Sequence, residues 1–383
     1  MTTCSGWFLL VALLFLPLCQ AQTNVFGERE SPTSPIPASH SLAPTPVPPA
    51  AATPSGGKIP MQNVPMVKAN QPQTTNPSLQ TTLTVPVNAV PLIESTIKTY
   101  QNDQPEIDLI MRLPEGHTKE HPTAKGVLAF CTWQRSKEAL RATLQSETNP
   151  LVQYAMRNHL ALLTWNTAIL WKTLKKGERV DLFKNAQLER AFDSVATSWR
   201  VGVEQLCKEQ NIPATGVLLD GFSAGAHWSE RLALRHPSMF LAVHLHVANN
   251  YEQISDNAVG PLWAVSSGDL DVGRNSTVNF YRECQSRGFP IILKVSNGLG
   301  HASNSEIEKF RDAFFDYALD VAKRPGRKSP ASMMLEDLNS ANLVGDFLSQ
   351  EVYHNSSVSQ VPVSQRVPLP DVQVAKAWGY LRK

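Results

Sequence analysis

Between residues 92 and 325 the chain alternates two hydrophobic rhythms. Short unbroken apolar runs at Gly126–Thr132, Leu160–Trp165, Val217–Gly221, Leu241–Val247, Leu262–Ser267 and Ile291–Val295 predict strands buried on both faces. Between them, apolar residues recur at helical spacing over Asn149–Asn158, Ala186–Glu209, Ala226–Arg235, Thr277–Arg287 and Ser305–Ala322. Asn149-Pro150 adds a helix-entry signal to the first of these. Two earlier segments, Ile93–Tyr100 and Glu106–Leu113, read as a hairpin of strands. Strands that alternate with helices predict an α/β fold, a mostly parallel central sheet with helices on both faces.

The ends of the chain lack this rhythm. Residues 1–21 carry no charge and hold an apolar stretch from Trp7 to Leu18, followed by Cys19-Gln20-Ala21. This pattern predicts an export signal cleaved before Gln22, hence a secreted or periplasmic protein. The stretch is short for a membrane span, so no stable membrane insertion is expected. A lipid anchor on Cys19 is disfavoured by the bulky Leu18. Residues 22–91 hold half of the chain's 28 prolines among Thr, Ser, Gln and Asn, with few aromatics. Such a segment cannot bury enough surface to offset its chain entropy and predicts a disordered spacer. Residues 326–383 form a C-terminal extension after a basic, turn-rich break. Its Trp378 and Tyr380 predict docking onto the 92–325 domain.

Net charge is +2, without a basic block or a basic–aromatic stripe, so nucleic acid is not an expected partner. Cys131, Cys207 and Cys284 remain once the signal is removed. The number is odd and no Cys-x-x-Cys occurs, which excludes a disulfide scaffold and gives structural zinc no support. His244 and His246 fall on one strand face, and His227 follows Ser223 by one helical turn. A three-histidine metal site is conceivable from this spacing, but no carboxylate or cysteine joins the pattern, and core histidines are the preferred reading. No metal and no organic cofactor is implied. Asn275-Ser-Thr and Asn355-Ser-Ser are glycosylation acceptors in a eukaryotic secretory pathway only. Nothing in the chain signals an oligomeric state.

The candidate chemistry lies at strand ends. The run ending at Val217–Gly221 passes through Gly221-Phe222-Ser223-Ala224-Gly225 into a helix. A sharp strand-to-helix turn lifts the serine hydroxyl clear of the backbone and needs small residues two positions either side. A serine hydroxyl is a weak nucleophile unless a base accepts its proton and a carboxylate orients that base. In a parallel sheet such groups gather at the carboxyl ends of the strands. Leu262–Ser267 is followed by Gly268-Asp269-Leu270-Asp271, and Ile291–Val295 by Ser296-Asn297-Gly298-Leu299-Gly300-His301. Both Asp269 and Asp271 qualify as the acid. Asp220 lies too near the turn and reads as a local hydrogen-bond partner. Trp133 and Gln134, Trp165 and Asn166, and Asn249, Asn250 and Tyr251 also follow strands. They predict an aromatic and amide rim suited to sugar rings or aromatic acyl groups, with Gln134, Trp165, Asn166 and Tyr251 as substrate-binding candidates.

The chain order Ser223, Asp271, His301 resembles the α/β-hydrolase fold family over roughly residues 92–325. Arg231–Pro237 and Phe240–Val243 after the turn look like the secreted esterases related to polyhydroxybutyrate depolymerases, feruloyl esterases and dienelactone hydrolases. The resemblance implies Ser223 as nucleophile, His301 as base and Asp271 as acid, the acid standing three residues after the glycine. It implies Ala224 as one oxyanion donor and a second donor on the loop after Gly126–Thr132. Many relatives have His-Gly-Gly there, whereas this chain has Cys131-Thr132-Trp133-Gln134, so Trp133 is the expected donor, with Thr132 next. Cys131 is read as a buried core thiol. The implied activity is a serine hydrolase that cleaves small-molecule or polymer-linked carboxylic esters, carbohydrate-linked or aromatic acyl esters among them. A serine peptidase of the same fold and a non-catalytic carbohydrate- or surface-binding protein are the alternatives.

Overall fold

In the computed structural model the described residues are 80–83, 90–97, 107–132, 136–166, 186–254, 260–325, 335–338 and 341–382. The expectations for residues 1–21, for most of 22–91, and for Trp133 and Gln134 fall outside them.

Among the described residues the main sheet has nine strands: β1 (Gln80–Leu83), β2 (Leu92–Ile97), β3 (Ile107–Arg112), β4 (Gly126–Cys131), β5 (Leu160–Trp165), β6 (Val217–Phe222), β7 (Phe240–His246), β8 (Leu262–Gly268) and β9 (Ile291–Ser296). Their spatial order is β1-β2-β3-β5-β4-β6-β7-β8-β9. The ladders from β5 through β4, β6, β7 and β8 to β9 are all parallel, and those joining β1, β2, β3 and β5 are antiparallel. This is the α/β-hydrolase fold, a mostly parallel central sheet with helices packed on it. Strands β4, β5, β7, β8 and β9 are buried along their whole length, as their unbroken apolar runs require. Strands β2 and β3 pair as the expected hairpin.

Strand β1 corrects the expected spacer, because Gln80–Leu83 pairs with Ile93–Thr96. Thr81, Thr82 and Leu83 suit an extended backbone, and β2 would otherwise expose an unpaired edge.

Helices α1 (Lys137–Gln145), α2 (Pro150–Arg157), α3 (Ala186–Glu209), α4 (Ala224–Arg235), α5 (Arg274–Ser286), α6 (Ser305–Ala322), α7 (Leu335–Leu338) and α8 (Val372–Trp378) complete the elements that concern us. Helix α1 was not among the expected ones. Its signals are the Ser136 cap, which accepts from the Ala139 N–H, and one apolar stripe through Leu140 and Leu144. Asn149 caps α2 with Pro150 at its first position.

The C-terminal residues form a second sheet, β10 (Leu343–Asp346), β11 (Glu351–His354), β12 (Arg366–Leu369) and β13 (Tyr380–Leu381), in the order β12-β10-β11-β13. Helix α8 packs on α6, and β12 lies beside β9. The buried Trp378 indole donates to the Leu293 carbonyl at 2.5 Å. The buried Lys294 ammonium donates to Trp378 O at 2.5 Å and to Glu306 at 2.7 Å. Tyr380, also expected to dock, is 75% exposed instead, because it sits on a two-residue edge strand.

Candidate active site

Strand β6 ends in the predicted turn. Ser223 has φ 57° and ψ −125°, a left-handed conformation rarely occupied outside glycine. The turn is held by Ser223 N–H to His246 O and Ala226 N–H to Ser223 O, both at 2.9 Å. The flanking glycines explain how it fits. A Cβ on Gly221 would stand 2.6 Å from Ala226 Cα, and one on Gly225 would stand 2.1 Å from the Cys131 carbonyl and 2.9 Å from Thr132 Cα. The absent side chain at 225 thus lets the end of β4 press against the turn.

The loops after β8 and β9 are joined backbone to backbone. Asp269 N–H bonds Ser296 O at 3.0 Å, and Leu270 N–H bonds Leu299 O at 3.1 Å. A Cβ on Gly268 would meet Leu299 O at 1.8 Å, so glycine is required for this approach. The loops bring Asp271 to His301. Asp271 Oδ2 lies 2.7 Å from His301 Nδ1, while its Oδ1 accepts the Gly273 N–H at 2.6 Å. The Asp271 side chain is fully buried and that of His301 is 38% exposed. Asp269, the rival acid, turns Oδ1 into the interior without a hydrogen-bond partner.

On its other side, His301 Nε2 lies 2.7 Å from Ser223 Oγ. The tautomer follows from Asp271, whose carboxylate accepts only. The neutral ring therefore carries its proton on Nδ1, and Nε2 is free to accept the Ser223 hydroxyl proton. This arrangement can raise the nucleophilicity of Ser223 and hold an imidazolium once the proton has moved.

Ala224 opens helix α4, where the first N–H groups have no intrahelical acceptor and the helix end attracts negative charge. Trp133, the expected second oxyanion donor, lies outside the described residues. Thr132, the runner-up, is placed beside Gly225, with a buried and unpartnered Oγ1.

The predicted rim needs correction. Trp165 is a core residue, 2% exposed and packed edge-on against Trp199 at 5.1 Å. As the last residue of β5 it points toward α3 rather than toward the cleft. Tyr251 stacks on Phe280 at 4.1 Å and bonds Thr277 Oγ1 at 3.1 Å, so its phenol turns inward. Asn166 is half-buried, with its N–H bonded to Asp108 O at 3.1 Å. Gln134 lies outside the described residues.

Cys131, Cys207 and Cys284 are all buried and unpaired. Burial pushes the Cys131 thiol well above its usual range. Among the described residues no group of three or more His, Cys, Asp or Glu side chains is placed to hold a metal ion. No described helix is long and apolar enough to cross a membrane.

No family model matches the chain, and no curated protein matches it. Solved structures do resemble it. One is a fungal esterase from Rhizomucor miehei, at 14% identity over 66% of this chain and 85% of that one, with a TM-score of 0.45. An acetyl xylan esterase from Paenibacillus sp. R4 aligns at 11% identity over 64% and 89% of the two chains, with a TM-score of 0.44. An S-formylglutathione hydrolase from Agrobacterium tumefaciens aligns at 13% identity over 62% and 98%, with a TM-score of 0.43.

Proposed function

We propose that this protein is an exported serine hydrolase that cleaves carboxylic esters. The observation that carries the reading is the unbroken chain Asp271–His301–Ser223, 2.7 Å at each link, built on a turn that holds Ser223 at a positive φ. Ser223 Oγ attacks the ester carbonyl as its proton passes to His301 Nε2. Asp271 stabilises the resulting imidazolium. The Ala224 N–H and a donor from the Thr132–Trp133 segment receive the developing oxyanion, each worth about 3–4 kcal/mol of barrier. His301 then protonates the leaving alcohol. A water molecule, deprotonated by the same ring, releases the acid from Ser223. The exposed edge of His301 supports the entry of that water.

The inward turn of Trp165 and Tyr251 removes much of the aromatic rim on which a carbohydrate-binding role rested. The resemblance to the polyhydroxybutyrate depolymerase and feruloyl esterase group, and the apolar leader at residues 1–21, support an extracellular ester as substrate.

The test is hydrolysis of aryl acetate, feruloyl ester and peptide anilide substrates by the wild-type chain and by Ser223→Ala. Ester turnover that disappears in a folded Ser223→Ala protein is the expected result. Anilide cleavage in preference to esters would instead make the protein a peptidase. Equal ester turnover by both proteins would overturn the reading.

A further inference from the structure

A line of polar side chains crosses the sheet beneath helix α6. Strand register creates it, because Asp220 of β6 lies opposite His244 of β7, and His246 of β7 lies opposite Ser266 of β8. Asp220 Oδ1 is 2.6 Å from His244 Nδ1, and His244 Nε2 is 2.9 Å from Ser266 Oγ. Ser266 Oγ is 2.8 Å from His246 Nδ1, and His246 Nε2 is 2.8 Å from the carbonyl oxygen of Ala302. All four side chains are buried.

Proton counting fixes the end of this line at His246. The Ala302 carbonyl only accepts, so His246 Nε2 must carry hydrogen. Burial pushes the His246 pKa down to about 4, so its ring is neutral and Nδ1 accepts from the Ser266 hydroxyl. Ser266 Oγ keeps a lone pair toward His244 Nε2, and the other His244 nitrogen faces Asp220 Oδ1. Arg311 of α6, 3.9 Å from the second Asp220 oxygen, favours the ionised carboxylate. The Ser266 hydroxyl, by donating to Nδ1, holds His246 in the tautomer that donates to Ala302.

The near end touches both halves of the proposed site. The backbone carbonyl of His246 receives the Ser223 N–H at 2.9 Å. Its ring holds Ala302, the residue after His301. The Phe222 ring fills the space between, 5.6 Å from His246 and 5.8 Å from His301. A single residue therefore braces the backbone of the serine turn against the backbone of the histidine loop.

We propose that His246 is a positioning residue for the reaction at Ser223, and that Ser266 serves to hold its ring in the donating tautomer. The inference rests on the serine hydrolase reading above. Misplacing a reacting group by about 1 Å can cost on the order of 100-fold in rate, while substrate affinity depends on other contacts.

The test compares kcat and KM for an aryl acetate, with thermal unfolding of each full-length variant as a fold control. His246→Leu, which fills the space but cannot donate, should lower kcat about 100-fold and leave KM within about two-fold. His246→Gln, whose amide can still donate toward Ala302, should recover most of that loss. Ser266→Ala, which deletes one hydroxyl, should lower kcat about ten-fold and serves if His246→Leu fails to fold. Folded His246→Leu or Ser266→Ala with wild-type kcat would overturn the proposal, as would a Gln variant no better than the Leu variant. A wild-type chain without ester turnover would overturn the hydrolase reading itself, and this inference with it.

Discussion

Among the described residues, two Asp–His–Ser chains share the same connectivity. In one, Asp271, His301 and Ser223 are linked by 2.7 and 2.7 Å. In the other, Asp220, His244 and Ser266 are linked by 2.6 and 2.9 Å. Their surroundings separate them. His301 is 38% exposed at the side chain, whereas that of His244 is 2% exposed under Phe310 and Phe315. Ser223 stands on a positive-φ turn at the start of a helix, with unpaired N–H groups nearby. Ser266 lies in the middle of a fully buried strand whose N–H groups belong to the sheet ladder. Hydrogen-bond geometry alone thus does not make a nucleophile. Access for a carbonyl and donors for its oxyanion are also needed, and on the proposed reading the first chain offers both.

The largest expected effect breaks the comparison at the serines. Ser223→Ala should lower kcat for an aryl acetate by about 10⁶-fold, far beyond the loss expected for Ser266→Ala, as steady-state kinetics would measure. The acids come next. Asp271→Asn should lower kcat by about 10⁴-fold through the wrong His301 tautomer, with little loss of stability. Asp220→Asn should instead act on the fold. It removes the buried carboxylate that faces the Arg311 guanidinium, at a cost of about 3–5 kcal/mol in urea unfolding.

The smallest effect concerns pH. The buried His246 ring and the half-buried His227 ring are both pushed down to about 4 from 6.5 by desolvation. Between those values the unfolded chain binds the protons that the folded protein refuses. The stability these neutral rings contribute is present above about pH 6.5 and is lost as pH falls toward 4. Each should account for roughly 2–3 kcal/mol between pH 7 and 4.5. His246→Gln should flatten that slope in urea unfolding measured across the same range.

The two chains also differ in how far the sequence reveals them. Ser223, Asp271 and His301 stand just past apolar runs, so position after a strand was enough to propose them together. Asp220, His244, His246 and Ser266 are equally plain as residues, and the two histidines were placed on one face by their spacing. Their partners depend on which residue of β6 or β8 lies opposite, and register between distant strands is not written in any local pattern. The same limit explains Trp165 and Tyr251. A strand end marks proximity to the cleft, but the direction of the side chain depends on strand parity and on neighbours such as Trp199 and Phe280. The long buried strands were legible because burial on both faces demands an unbroken apolar run. Strands β10, β12 and β13 were not, being too short, and interrupted by proline in β12, to show a period. Helix α1 carries readable signals in Ser136, Leu140 and Leu144.

The most direct measurement is covalent labelling of the full-length protein with a fluorophosphonate, with the adduct located by peptide mass spectrometry. The account predicts a single adduct on Ser223 that is lost in His301→Ala and retained in His244→Ala, provided both variants remain folded. A folded wild-type protein that takes no label, or one labelled at another serine such as Ser266, would contradict it.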